Sequence, residues 1–333
     1  MTESVLGLQR SNTIDVLRCL AAVSIVIQHV SAEGMLSQTP GAATLLNALS
    51  LWGLPFFFLV SGFVQRRHLA ARSERLGVWA LSRSRRLLIP YVGWSVIYIG
   101  IPWLTSIWTN GPPPSYDWSS VVFTGGAFGP LWFLPMLFYV SVVARVLGPS
   151  RRLSSFGVSA AAAAAVFVGL TVGVVSWGFW LLMPWYLFLY VGGSLIPDAA
   201  RRFKRVDGRA CVALFATLLA LTAVLSAYIP HTGPQSAYAT LVTVVPAAAA
   251  AVLLWGTTGG LRFSWGMNSA GLTTLLVGVY LSHAGWLVLW KRLLRPELTP
   301  WIVWLPLTSV AIVALAFGTS ALFQRLPGLR AIT

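Results

Sequence analysis

The chain has 333 residues, 57% of them hydrophobic and 9% charged, with 16 Trp, a mean hydropathy of +0.77 and a formal net charge of +15. This composition excludes an ordinary soluble domain and describes a polytopic membrane protein. The apolar runs approach the roughly twenty residues a helix needs to cross about 30 Å of hydrocarbon, and none alternates with the period of a barrel strand, so the expected fold is an all-α transmembrane bundle of about ten spans.

The first span is expected at 13–31 and carries three ionisable groups, Asp15, Arg18 and His29. A charge inside an apolar helix costs about 2.5–3.5 kcal/mol on insertion scales, so this helix is more than an anchor. Arg18 and His29 are eleven positions apart; three turns and a residual rotation of about 20° place them on one face, roughly 16 Å apart. One reading pairs Asp15 with Arg18 at the interface and gives His29 a polar contact. The other makes the imidazole a general base that takes a proton from a hydroxyl nucleophile. Glu33 projects to nearly the same face, either to orient that ring or as an exposed loop carboxylate.

The second span, 43–64, holds the run Leu54-Pro55-Phe56-Phe57-Phe58-Leu59-Val60-Ser61-Gly62-Phe63, which reads as a packing element in which Gly62 lets backbones approach. A basic stretch follows at 65–86, read as extramembrane, and the third span is expected at 87–108. Arg83 and Arg86 stand one turn apart where that span begins, and Pro90 cannot supply the backbone donor for the Arg86 carbonyl. Two aligned guanidinium forks suit a phosphate-bearing ligand; an ordinary positive flank is the alternative. In the fourth span, 129–147, Gly129-Pro130-Leu131-Trp132-Phe133-Leu134 reads as a second packing element, with Trp132 in an interfacial aromatic belt.

Further spans are expected at 155–176, with an Ala160–Ala165 run that permits close packing, and at 179–197, 210–229, 239–256, 270–290 and 301–322. The ninth contains Tyr280-Leu281-Ser282-His283. Residue counts put His283 at a depth similar to that of His29, and two buried imidazoles at one level make a candidate site. His68 and His231 fall in loops and read as solvated. With the N-terminus inside, about 20 of the 23 Lys and Arg lie at or near cytoplasmic ends, so positive-inside bias explains the charge and no nucleic-acid partner is implied. Lys291, Arg292 and Arg295 run against that count. Cys19 and Cys211 belong to no ligand spacing, so no disulfide or metal site is implied. Residues 1–333 are expected to form a single transmembrane domain, with span one retained and both termini cytoplasmic.

Together, Asp15–Arg18–x10–His29, Pro55…Ser61-Gly62-Phe63, Arg83-x-x-Arg86…Pro90, Leu131-Trp132-Phe133-Leu134 and Tyr280…His283 resemble, in order and over nearly the whole chain, the acyltransferase-3 family of integral membrane O-acyltransferases. The resemblance implies transfer of an acyl group, usually acetyl, from cytoplasmic acyl-CoA to a hydroxyl, commonly on an envelope glycan, by a multi-pass protein of the inner or plasma membrane. It makes His29 the catalytic base or acyl relay. Arg18, Arg83 and Arg86 hold CoA as a co-substrate, no permanently bound cofactor is expected, and His283 joins the catalytic set. Asp15, Ser61, Gly62 and Trp132 are supporting residues. Some members carry a fused extracellular SGNH hydrolase-like domain; none is expected here, and the expectation is then that a lipid-linked sugar or small metabolite reaches the bundle directly or that a separate periplasmic or extracellular partner completes the transfer. The competing class is a transporter or flippase using the buried charges as a pathway; no convincing internal repeat supports it.

Overall fold

The computed structural model describes residues 12–35, 40–71, 74–147, 179–202, 207–228, 235–262, 269–294 and 300–333. All regular structure among them is helical. In chain order the helices are α1 (Asn12–Met35), α2 (Pro40–Ser50), α3 (Gly53–Ala71), α4 (Leu76–Thr109), α5 (Trp118–Phe123), α6 (Phe133–Leu147), α7 (Phe179–Arg202), α8 (Gly208–Tyr228), α9 (Gln235–Thr258), α10 (Ser269–Leu293) and α11 (Trp301–Arg325). Short 3-10 turns at Gly129–Trp132 and Leu329–Ile332 complete the list. Among the described residues, six stretches are long and apolar enough to cross a membrane: Asn12–Ala32, Thr44–His68, Leu76–Thr109, Gly129–Leu147, Gly208–Ser226 and Val303–Arg325. Thr243–Thr258 is a shorter apolar helix. The expected span at 155–176, its alanine run, His231 and Arg295 lie outside the described residues.

α1 is central, packing against α2, α3, α10 and α11. α3 makes its most extensive contact with α7, and the reason is in the glycines. A Cβ on Gly62 would fall 1.8 Å from the Tyr190 carbonyl oxygen, and one on Gly193 would fall 1.9 Å from that of Leu59. Each helix thus offers a bare backbone position to a carbonyl of the other, the close approach that small residues permit in membranes. α10 and α11 are joined by indole hydrogen bonds: Trp286 Nε1 donates to Thr319 Oγ1 at 2.8 Å, Trp290 Nε1 to Thr308 Oγ1 at 3.1 Å, and Trp304 Nε1 to the Leu294 carbonyl at 3.1 Å.

Two expectations change. The second span is not one rod, because the chain turns at Leu51–Trp52 between α2 and α3. Gly53 presses on α1 there, where a Cβ would meet Ser24 Oγ at 2.1 Å, and Pro55 fits a first helical turn, where no amide donor is needed. The stretch 65–86 is largely helical: α3 continues to Ala71, α4 begins at Leu76, and His68 sits half-buried in the last turn of α3. Arg66, Arg67, Arg83, Arg85 and Arg86 lie on helices because Arg, Leu and Ala are strong helix formers. Trp132 is half-buried against Tyr186, with ring centroids 5.4 Å apart, and packs on the core as the packing-element reading expects.

The position of Trp132 is set by Gly125, whose φ of +87° is open to glycine and whose Cβ would lie 2.3 Å from the Trp132 backbone. α4 ends on Asn110, in the left-handed region at φ 49°, and the Gly111-Pro112-Pro113-Pro114 run cannot continue it. The chain returns through α5, where the Tyr91 hydroxyl donates to the Val121 carbonyl.

Candidate active site

His29 and His283 meet where α1 packs on α10. Their ring centroids are 5.1 Å apart, with the planes inclined at 40°. α1 supplies His29, which is half-buried, and α10 supplies His283, which is fully buried. His283 Nδ1 lies 2.5 Å from the Tyr280 carbonyl oxygen. A carbonyl only accepts, so in the neutral ring the proton is on Nδ1 and the lone pair on Nε2. That Nε2 is buried and has no hydrogen-bond partner among the described residues. Ser282 Oγ, one residue before it, and Ser31 Oγ, two after His29, are likewise buried without partners there.

Tyr280 is anchored in turn. Its hydroxyl donates to the Pro130 carbonyl at 2.9 Å, and its ring lies 4.9 Å from that of Phe133. Phe133 meets Phe58 at 5.2 Å, and Phe58 stacks on Tyr186 at 4.3 Å. The aromatic runs of α3 and of the 129–134 segment therefore form one wall beside the imidazoles, with Ser61 half-buried one position before Gly62. A wall of this kind excludes water, which strengthens every electrostatic interaction inside it.

Arg18 and Asp15 pair within α1, Nη1 to Oδ1 at 3.8 Å, with Asp15 buried. The Glu33 backbone continues α1; its side chain lies outside the described set. Helical spacing separates the ion pair from His29 by about three turns, so Arg18 acts at a different depth from the imidazoles.

A second cluster forms where the Arg-rich ends of α3, α4, α6 and α7 converge. Arg66 Nε and Nη2 donate to Asp198 Oδ2 at 3.1 and 2.9 Å, and Arg201 donates to the other oxygen of the same carboxylate. Arg145 Nη2 donates to the Glu74 carbonyl at 2.8 Å. Arg83 differs from these: its Nε and Nη2 are buried with no partner among the described residues, while Arg86 is exposed. The ionisable groups acting on Arg83 are Tyr190 and the like-charged Arg86. Tyr190 itself donates to Gln65 Oε1. A buried guanidinium with idle N–H groups is costly unless an anion joins it.

The structure thus brings His29 and His283 together, keeps Arg83 and Arg86 adjacent but unequal in burial, and places Gly62 and Trp132 in the packing around the site. Sequence reading missed Asp198, which reaches Arg66 from α7, and Tyr190, which acts on Arg83 from α7 and donates to Gln65. It also missed Tyr98, whose hydroxyl touches the turn of α10 that holds His283. An aromatic hydroxyl in mid-span was the available signal.

An all-helical bundle in which several described helices are long and apolar enough to cross a membrane, with two imidazoles paired between α1 and α10, is a multi-pass membrane protein. The family model for an acyltransferase domain, Acyl_transf_3, matches residues 11–321, and the chain belongs to that family as a multi-pass membrane acyltransferase. No curated protein and no solved structure matches it.

Proposed function

We propose that this protein transfers an acyl group, acetyl in the simplest case, from cytoplasmic acyl-CoA to a hydroxyl of an envelope glycan, a lipid-linked sugar or a small metabolite. The observation that carries the reading is the His29–His283 pair within a chain of this family. Arg83 and Arg86 hold the CoA phosphates: the unpaired Arg83 donors are what a phosphate oxygen requires, and the exposed Arg86 adds charge beside them. Arg18, tied to Asp15, supports the donor on α1. The arginine-rich end and the N-terminus face the cytoplasm, where acyl-CoA is available. A separate extracellular partner completes transfer if the acceptor does not reach the bundle.

In the direct route the acceptor hydroxyl gives its proton to an imidazole nitrogen as its oxygen attacks the thioester carbonyl. The C–S bond then breaks, and the imidazolium returns the proton to the departing thiolate. In the relay route the lone-pair nitrogen of His29 attacks the thioester, the C–S bond breaks and the thiolate takes the proton from the other ring nitrogen, leaving a neutral acyl-imidazole; the acceptor hydroxyl then attacks the acyl carbon, the N–acyl bond breaks, and its proton returns to the imidazole. In both, the Nε2 lone pair of His283 gives the proton a second place to reside beside His29.

The test is to incubate reconstituted wild-type and His29→Ala protein with radiolabelled acetyl-CoA and envelope lipid extract. Label should enter a lipid or glycan fraction with wild type alone; equal transfer by His29→Ala removes the proposal. Rapid quench without acceptor separates the routes, since the relay leaves an acyl adduct that His29→Ala lacks and the direct route leaves none.

A further inference from the structure

In an α-helix the amide of residue i+4 donates to the carbonyl of residue i, which would pair Gly285 with Leu281 on either side of His283. A side chain from another helix bridges those two groups. The Tyr98 hydroxyl, from α4, donates to the Leu281 carbonyl at 2.5 Å and accepts from the Gly285 amide at 3.3 Å. Gly285 admits it, because a Cβ there would lie 3.0 Å from the Tyr98 hydroxyl oxygen and 3.1 Å from a ring carbon. The phenol ring is held in place, stacked on Phe128 at 4.2 Å and 12° and tilted against Trp94 at 5.6 Å. Tyr98 is buried, so its hydroxyl has no solvent to turn to.

A group inserted into the ladder spreads the local turn and rotates the peptide planes beside it. The peptide next to Leu281's carbonyl carries the Tyr280 carbonyl, the acceptor for His283 Nδ1. We infer that Tyr98 is a positioning residue: by bridging Leu281 and Gly285 it fixes the backbone acceptor that holds His283 with the proton on Nδ1 and the lone pair on Nε2. Its effect on turnover rests on the acyl-transfer role proposed for His283, while its effect on the tautomer does not.

The test uses the full chain, labelled with nitrogen-15 at histidine and reconstituted in lipid bilayers. Solid-state NMR reads the tautomer, and loss of signals in His283→Ala identifies those of His283. Tyr98→Phe keeps the ring stacking and removes the hydroxyl. It should cut the Nδ1–H signal of His283 by about half or more and lower kcat about tenfold with KM for acetyl-CoA within about twofold. Unchanged nitrogen signals in folded Tyr98→Phe protein overturn the inference. If the signals shift while His283→Ala and Tyr98→Phe both keep wild-type kcat, the positioning stands and the acyl-transfer role of His283 falls. Should Tyr98→Phe fail to accumulate, Gly285→Ala sets a methyl 3.0 Å from the same hydroxyl oxygen and pushes it by a few tenths of an ångström; the His283 Nδ1–H signal should shift the same way by less, and unchanged signals overturn the inference.

Discussion

His283 and Arg83 are two buried polar groups with atoms left over, and the consequences of replacing them run in opposite directions. His283→Asn still offers an amide N–H to the Tyr280 carbonyl but brings no ring lone pair to His29. Abundance should be kept while turnover falls about 10²–10⁴-fold, the usual worth of a general acid–base group; wild-type turnover in this variant would remove His283 from the mechanism. Arg83 is the converse, a charge buried without a counter-anion among the described residues. Arg83→Met should therefore leave the thermal midpoint level or raise it. The same change should raise KM for acyl-CoA by roughly tenfold to a hundredfold, matching about 1.5–3 kcal/mol for a hydrogen bond to a charged group. A lower midpoint with unchanged KM would mean that Arg83 only braces the fold.

Helix pairs show which small residues matter. Gly62→Ala puts a methyl 1.8 Å from the Tyr190 carbonyl and must push α3 from α7. A loss of about 1–3 kcal/mol or more is expected from such overpacking. Gly100→Ala on α4, with nothing within 4 Å of the added methyl, should instead be neutral or stabilising by up to about 1 kcal/mol. Thermal melts of both variants in one detergent decide this, and equal losses would refute the close-crossing account. At the end of the same pair, burial raises the Asp198 carboxyl, but hydrogen bonds from Arg201 and Arg66 outweigh it and hold the group below the ordinary carboxylate range. The stabilisation from a depressed carboxylate is full above the unfolded value, about 3.9, and disappears as pH falls through the lower folded value. Wild type should lose thermal stability between about pH 5 and pH 3, and Asp198→Asn should lose less of it over that interval. Parallel slopes for the two would show that the ion pairs contribute nothing.

The whole molecule has one arginine-rich end, assembled by Arg66–Asp198, Arg145–Glu74 and the buried Arg83. The proposed orientation turns that end to the cytoplasm. Cys19 and Cys211 are buried and free, so single cysteines at exposed positions in a background lacking both can report sidedness. A cysteine replacing Arg85 should react with an impermeant maleimide only from the cytoplasmic side. One replacing Arg292, exposed in the last turn of α10, should react only from the other side. Labelling of both from the same face would overturn the expected count of spans.

Composition and apolar run lengths were enough to determine a helical membrane bundle, because crossing hydrocarbon leaves the backbone few choices. The order of short motifs along the chain was enough for the family, and helical spacing put Arg18 and His29 on one face and Arg83 beside Arg86. The break at Leu51–Trp52 and the helical course of 76–86 escaped sequence reading, since both depend on what α1 and neighbouring helices press against. Only the tertiary structure decided that His29 and His283 lie 5.1 Å apart, that Arg66 is neutralised while Arg83 is not, and that Tyr98 reaches into the turn of α10. The physical reason is common to all three. Periodicity along one helix fixes which residues share a face, but the partner of that face comes from another helix, and the fit of glycines and aromatics between helices selects it.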